Sequence, residues 1–147
     1  PVYVPVEEAK TILVTEPREV VTQGKIYIKD AFIYVGDVNL GVHVIDNTDP
    51  VNPKKVAFIQ IYGNHDIAIK GDILYADNLE DLVAIDISDR DNPQVMHRIK
   101  NVYKLVNQRF PENMPYHTWF ECVDPSKGYV VGWIPAELDS PGCWTAY

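Results

Sequence analysis

Gly41-Val42-His43-Val44-Ile45-Asp46-Asn47-Thr48-Asp49-Pro50 is answered, at an offset of 40, by Asp81-Leu82-Val83-Ala84-Ile85-Asp86-Ile87-Ser88-Asp89. The likeness extends in both directions. Upstream, Ile26-Tyr27-Ile28-Lys29-Asp30 and Phe32-Ile33-Tyr34-Val35 match Ile67-Ala68-Ile69-Lys70-Gly71 and Ile73-Leu74-Tyr75-Ala76 at an offset of 41. One residue is therefore lost in the turn between, Gly36-Asp37-Val38-Asn39 against Asp77-Asn78-Leu79-Glu80. Downstream, Asp49-Pro50-Val51-Asn52-Pro53 pairs with Asp89-Arg90-Asp91-Asn92-Pro93. Shared order, spacing and turn residues make this an internal repeat.

Each repeat reads as short strands separated by turns. Ile26 and Ile28 alternate with polar neighbours at the period of a half-buried strand. Phe32–Val35 and Ile73–Ala76 are apolar runs too short for helices and bounded by turn residues, which suits inner strands. In the closing phrase, Asp46 and Asp86 are expected to accept turn amides, and Pro53 and Pro93 cannot donate to a ladder. A last strand follows each turn, Lys55–Ile61 and Gln94–Ile99. Four antiparallel strands in about forty residues is the size of one propeller blade.

The organisation expected is an N-terminal segment over 1–23, a first blade over 24–64, a second over 65–103, and a loop with a partial third blade over 104–147. Pro5-Val6-Glu7-Glu8-Ala9-Lys10 reads as a short helix, with proline and carboxylates in its first turn. Residues 104–116 carry prolines and asparagines without a period and read as a loop. Trp119–Val123 and Gly128–Trp133 read as two strands of the third unit, joined by a turn at Asp124-Pro125-Ser126-Lys127. The fold class is all-β: blades of four short antiparallel strands in a partial ring, with a short N-terminal helix.

Composition narrows the function classes. The 147 residues carry a net charge of −8, which argues against nucleic acid as a partner, since that needs a basic footprint. No apolar run approaches the ~18 residues of a membrane-spanning helix. Cys122 and Cys143 fit neither metal spacing nor a redox pair, and a single disulfide and two free thiols are both open on spacing alone.

The phrases at 41–50 and 81–89 resemble the LVIVD repeat, a β-propeller blade motif. The segments 24–28, 68–77 and 121–133 are similar to the amino-terminal portion of LVIVD-repeat lipoproteins. That resemblance implies an extracytoplasmic protein of the outer membrane or cell surface, anchored by an acylated cysteine. Such a cysteine would have to precede Pro1. A closed propeller needs at least four blades, or ~160 residues, so the chain reads as the front of a longer propeller or as one whose open edges a partner covers. The family carries no catalytic motif to transfer.

The residues themselves point the same way. Among His43, His65, His97 and His117 no two stand at ligand spacing, and no nucleophile arrangement accompanies the Asn64-His65-Asp66 adjacency that joins the blades. The acidic turns at Asp37/Asn39 and at Asp77/Asn78/Glu80/Asp81 offer oxygen ligands without the spacing of a calcium loop. No catalytic residue, metal ligand or cofactor is assigned. Tyr116, Trp119, Trp133 and Trp144, with Phe120 and Tyr129, form a dense aromatic set that reads either as blade filling or as a binding surface. The first four are the candidate binding residues. Gly41, Tyr62 and the 104–118 loop are further candidate contact points. The expected function is a non-enzymatic binding or scaffold module acting on a protein partner. A carbohydrate-binding surface and a metal-dependent propeller hydrolase or lyase are the alternatives.

Overall fold

Alternating and β-branched residues between turn signals fold here as short antiparallel ladders. The computed structural model describes residues 1–104, 111, 115 and 117–144. The candidate residue Tyr116 and most of the 104–116 loop lie outside them. The chain divides into two compact units, one of Lys10–Leu105 and one of Pro1–Ala9 with Val106–Tyr147.

In the larger unit, the first repeat forms β3 (Gln23–Lys29), β4 (Phe32–Asp37), β5 (Gly41–Asp46) and β6 (Lys54–Gln60), with β2 (Leu13–Thr15) ahead of them. The second forms β7 (Ile67–Lys70), β8 (Ile73–Asn78), β9 (Asp81–Asp86) and β10 (Gln94–Ile99). The second sheet has the order β10-β9-β8-β7. The first has five strands, β2-β6-β5-β4-β3, because β2 adds to the outer edge in the register Leu13↔Gln60, Val14↔Ile59, Thr15↔Phe58. All pairings are antiparallel, and the four repeat strands of each sheet lie side by side in chain order, as in a blade.

Directly opposite residues share a face. Tyr34, Val42, Val44, Ala57 and Ile59 of the first blade therefore point one way, and Ile67, Leu74, Ala76, Val83 and Ile85 of the second meet them in one buried cluster. Val14 of β2 and Ile12 pack against its margin. The closing turns repeat in atomic detail. Asp46 accepts the Thr48 amide and Asp49 the Val51 amide, at 2.8 and 3.1 Å. Asp86 and Asp89 accept the Ser88 and Asp91 amides at the same two distances. These are the side-chain-to-backbone turns expected of the phrase.

The smaller unit holds β1 (Val2–Val4), the single helical turn α1 (Val6–Ala9), β11 (Trp119–Phe120), a 3-10 turn at Pro125–Lys127, β12 (Tyr129–Gly132) and β13 (Cys143–Trp144). β11 and β12, read from sequence as neighbours, do not pair with each other. β1 pairs with β12 and β11 with β13. The reason is local. Asp124 caps the 3-10 turn by accepting from Ser126, and its own amide donates to the Tyr3 hydroxyl at 2.7 Å, so this segment turns toward the chain start rather than closing a hairpin. Cys122 and Cys143 form a disulfide, with Cα atoms 5.2 Å apart, beside the β11–β13 pair.

Candidate functional site

The two repeats are near copies, yet equivalent residues have opposite exposures. Tyr34 is 2% exposed and its counterpart Tyr75 is 38%. Ile59 is 1% exposed and Ile99 is 49%. In the other direction, Ile67 is 2% exposed and Ile26 is 52%. In each pair the buried member lies in the contact between the blades, and the exposed member lies on the face its own blade turns outward. Each blade therefore has two faces of interblade type, and the larger unit joins them once. On the outward face of the second blade, Tyr75, His97 and Ile99 are exposed beside the half-buried Ile73, Leu82 and Ala84. On that of the first, Ile26 and Ile28 are exposed beside Ile33. Both are apolar patches of the kind that mark contact sites.

The outer part of the first blade's outward face is covered by the segment leading into β3. The Arg18 guanidinium lies 3.8 Å from the Phe58 ring centre. Glu19 reaches Lys55 at 2.7 Å. The Val21 and Thr22 amides donate to the two oxygens of Asp37 at 3.0 and 2.7 Å. Asp37 is fully buried with His43, whose Nε2 lies 3.0 Å away and therefore carries the proton, while Nδ1 has no hydrogen-bond partner among the described residues. Burial works against the charge on Asp37. The Thr22 amide, the His43 ring and the Val21 amide outweigh it and hold the carboxyl below its ordinary range.

The acidic residues of the turns act as structural acceptors. Asp77 receives the His65 and Asp66 amides, the Asn64 side chain and, at 3.2 Å, His65 Nδ1, so the Asn64-His65-Asp66 adjacency folds back onto its own blade. Buried Asp81 accepts from Arg98, Lys10 and the Asn101 amide. Among the described residues, no group of three or more His, Cys, Asp or Glu stands where it could hold a metal ion.

The described candidate aromatic residues, Trp119, Trp133 and Trp144, all belong to the smaller unit and are partly brought together. Trp119 and Trp144 are exposed cross-strand partners with ring centres 5.9 Å apart, and His117 stacks on Trp144 at 5.6 Å. A cavity of about 560 Å³ beside Trp119 is lined by Ala136, Leu138 and Pro141. Trp133 stands apart from that pair and meets Phe120 edge-on at 5.5 Å. Gly41 is a correction. It is buried at a φ of 144°, and a Cβ there would strike the Ile59 carbonyl, so it serves close strand packing and offers no contact surface. Sequence reading passed over Tyr75, Ile26 and Ile99. The signal that finds them is comparison of the two repeats position by position.

The family model for the LVIVD repeat matches residues 23–61 and 63–100. No curated protein and no solved structure matches the chain.

Proposed function

The chain belongs to the LVIVD-repeat family, and on that premise we propose that it is a non-enzymatic, propeller-type binding or scaffold module acting by protein–protein recognition. One observation carries this reading: residues that bury one blade against the other inside the unit recur, exposed, on the outward faces. Tyr75 and Ile99 on one side and Ile26 and Ile28 on the other form surfaces already shaped to take a β-sheet face. The partner is therefore a protein, and neither nucleic acid nor a bound cofactor enters the reading. We place the protein outside the cytoplasm, at the outer membrane or cell surface, where the Cys122–Cys143 disulfide would persist. Membrane attachment in this reading is by a lipid anchor, and no helix among the described residues is long and apolar enough to cross a bilayer.

The test is site-specific photocrosslinking in the cells that make the protein. Crosslinkers at positions 75 and 26 are expected to trap a defined protein, and one at Val51, on an exposed closing turn, to trap none. Equal adducts at all three positions, or none at 75 and 26, would overturn the reading.

A second reading rests on Trp119 and Trp144, whose exposed rings suit stacking against a sugar. Binding on a glycan array that is lost in Trp119→Ala would favour it, and silence across the array would remove it.

A further inference from the structure

The outer edges of the two blades differ in a way their sequences do not. The outer strand β6 of the first blade carries a fifth strand, Leu13–Thr15. Its counterpart β10 is the last strand of its sheet, with five of its six residues exposed, Val95, Met96 and Ile99 among them. Between β10 and the segment that supplies β2 lies a groove of about 690 Å³. One wall is residues 10–14, and the other is residues 91–95 with Arg98. The first wall runs into β2 at Leu13 and Val14, and the second runs into β10 at Gln94 and Val95, which among the described residues pairs with β9 alone.

We propose that this groove takes an extended segment of a partner protein, added antiparallel to β10 as its fifth strand in the way that Leu13–Thr15 is added to β6. This deepens the recognition reading above by naming the kind of segment recognised, and it rests on that reading. The segment already on β6 specifies the chemistry. It is apolar and β-branched over Leu13-Val14-Thr15, and it is followed by Glu16 and Glu19, of which Glu19 pairs with Lys55. In a chain of net charge −8, the stretch Gln94–Lys100 carries no carboxylate, and, with Arg98 held by Asp81, it leaves His97 and Lys100 exposed. The added strand is therefore a short β-branched run with acidic residues beside it. Backbone hydrogen bonds to β10 supply affinity, and the apolar contacts at Val95 and Ile99 set register. A bulge at Met96 leaves that residue out of the β9–β10 ladder, so a substitution there alters the free edge without removing a ladder bond.

The chain's own edge segment is the probe: a fluorescent peptide Thr-Ile-Leu-Val-Thr-Glu-Pro-Arg-Glu, the sequence of residues 11–19. The intact chain is expected to bind it saturably, with amide exchange slowed at least fivefold across residues 94–99. Met96→Pro and Ile99→Lys are expected to weaken binding at least tenfold with an unchanged thermal midpoint. Three results would overturn the proposal: no binding, protection at 54–60 instead of 94–99, or protection at 94–99 that rises with protein concentration without peptide. The last assigns the edge to a second copy of the chain. A chain that crosslinks a partner through positions 26 and 75 but ignores the peptide sinks the strand-addition inference alone.

Discussion

At the scale of single residues, Asp37 explains how a short, irregular stretch becomes part of a blade. Residues 16–22 have no strand period, and they are held to the first blade's outward face by a carboxylate with three donors and by Arg18 over Phe58. Asp77 holds the entry to the second blade in the same manner. Burial opposes its charge, while the His65 ring and the Asp66 and His65 amides hold its carboxyl low. A carboxyl lowered in the folded state contributes stability above its unfolded pKa, near 3.9, and loses it as pH falls through the folded value. The thermal midpoint is therefore expected to be level from pH 7 to about 5 and to fall below about 4. Asp37→Asn replaces charge-assisted hydrogen bonds by weaker ones and is expected to cost about 2 kcal/mol at pH 7. Its deficit should shrink as pH falls through the lowered pKa of the native carboxyl, where that group takes up its proton as well. Circular dichroism melts of both proteins across that range make the check, and a constant deficit would refute this role for Asp37.

At the scale of elements, the two blades provide an internal control. Tyr34 and Tyr75 occupy the same place in the repeat, but only Tyr34 has a sheet packed over it. Tyr34→Ala is expected to cost about 3–5 kcal/mol, as for other large buried side chains, and Tyr75→Ala less than about 1 kcal/mol. Urea midpoints of the two variants decide it, and comparable losses would mean that the second face is also a packed one. The same pair marks the limit of what the sequence could disclose. Strands β3 to β10 were legible because each has its own alternation or apolar run and its own turn chemistry, including the amide-accepting Asp46 and Asp86. The apolar runs of β4 and β8, suited to inner strands, were legible as well. Whether a neighbour covers a given face was not, because burial depends on what stands opposite and nearly identical residues serve both cases. β2 escaped for a related reason: Leu13-Val14-Thr15 is too short to show a period, and its strand character comes from the β6 edge it joins. The disulfide was undecidable from spacing, since it requires the β11–β13 pairing that brings Cys122 and Cys143 together.

At the scale of the whole molecule, the chain combines two kinds of stabilisation. The larger unit is held by an apolar cluster shared between two sheets. Among its described residues the smaller has two-stranded ladders, few buried side chains and one covalent link, a balance typical of segments that cannot build a sufficient core. Closing the loop between Cys122 and Cys143, 21 residues apart in sequence, stabilises by about 3 kcal/mol through restriction of the unfolded chain. The probes separate the units unusually well. All three tryptophans, Trp119, Trp133 and Trp144, belong to the smaller unit, and most of the strand residues belong to the larger. Reduction with a thiol, or Cys122→Ser with Cys143→Ser, is expected to lower the urea midpoint read by tryptophan fluorescence. The midpoint read by far-ultraviolet circular dichroism should stay nearly unchanged. A single transition that shifts equally in both signals would mean that the two units unfold together, and that the disulfide stabilises the blades as much as the aromatic strands beside it.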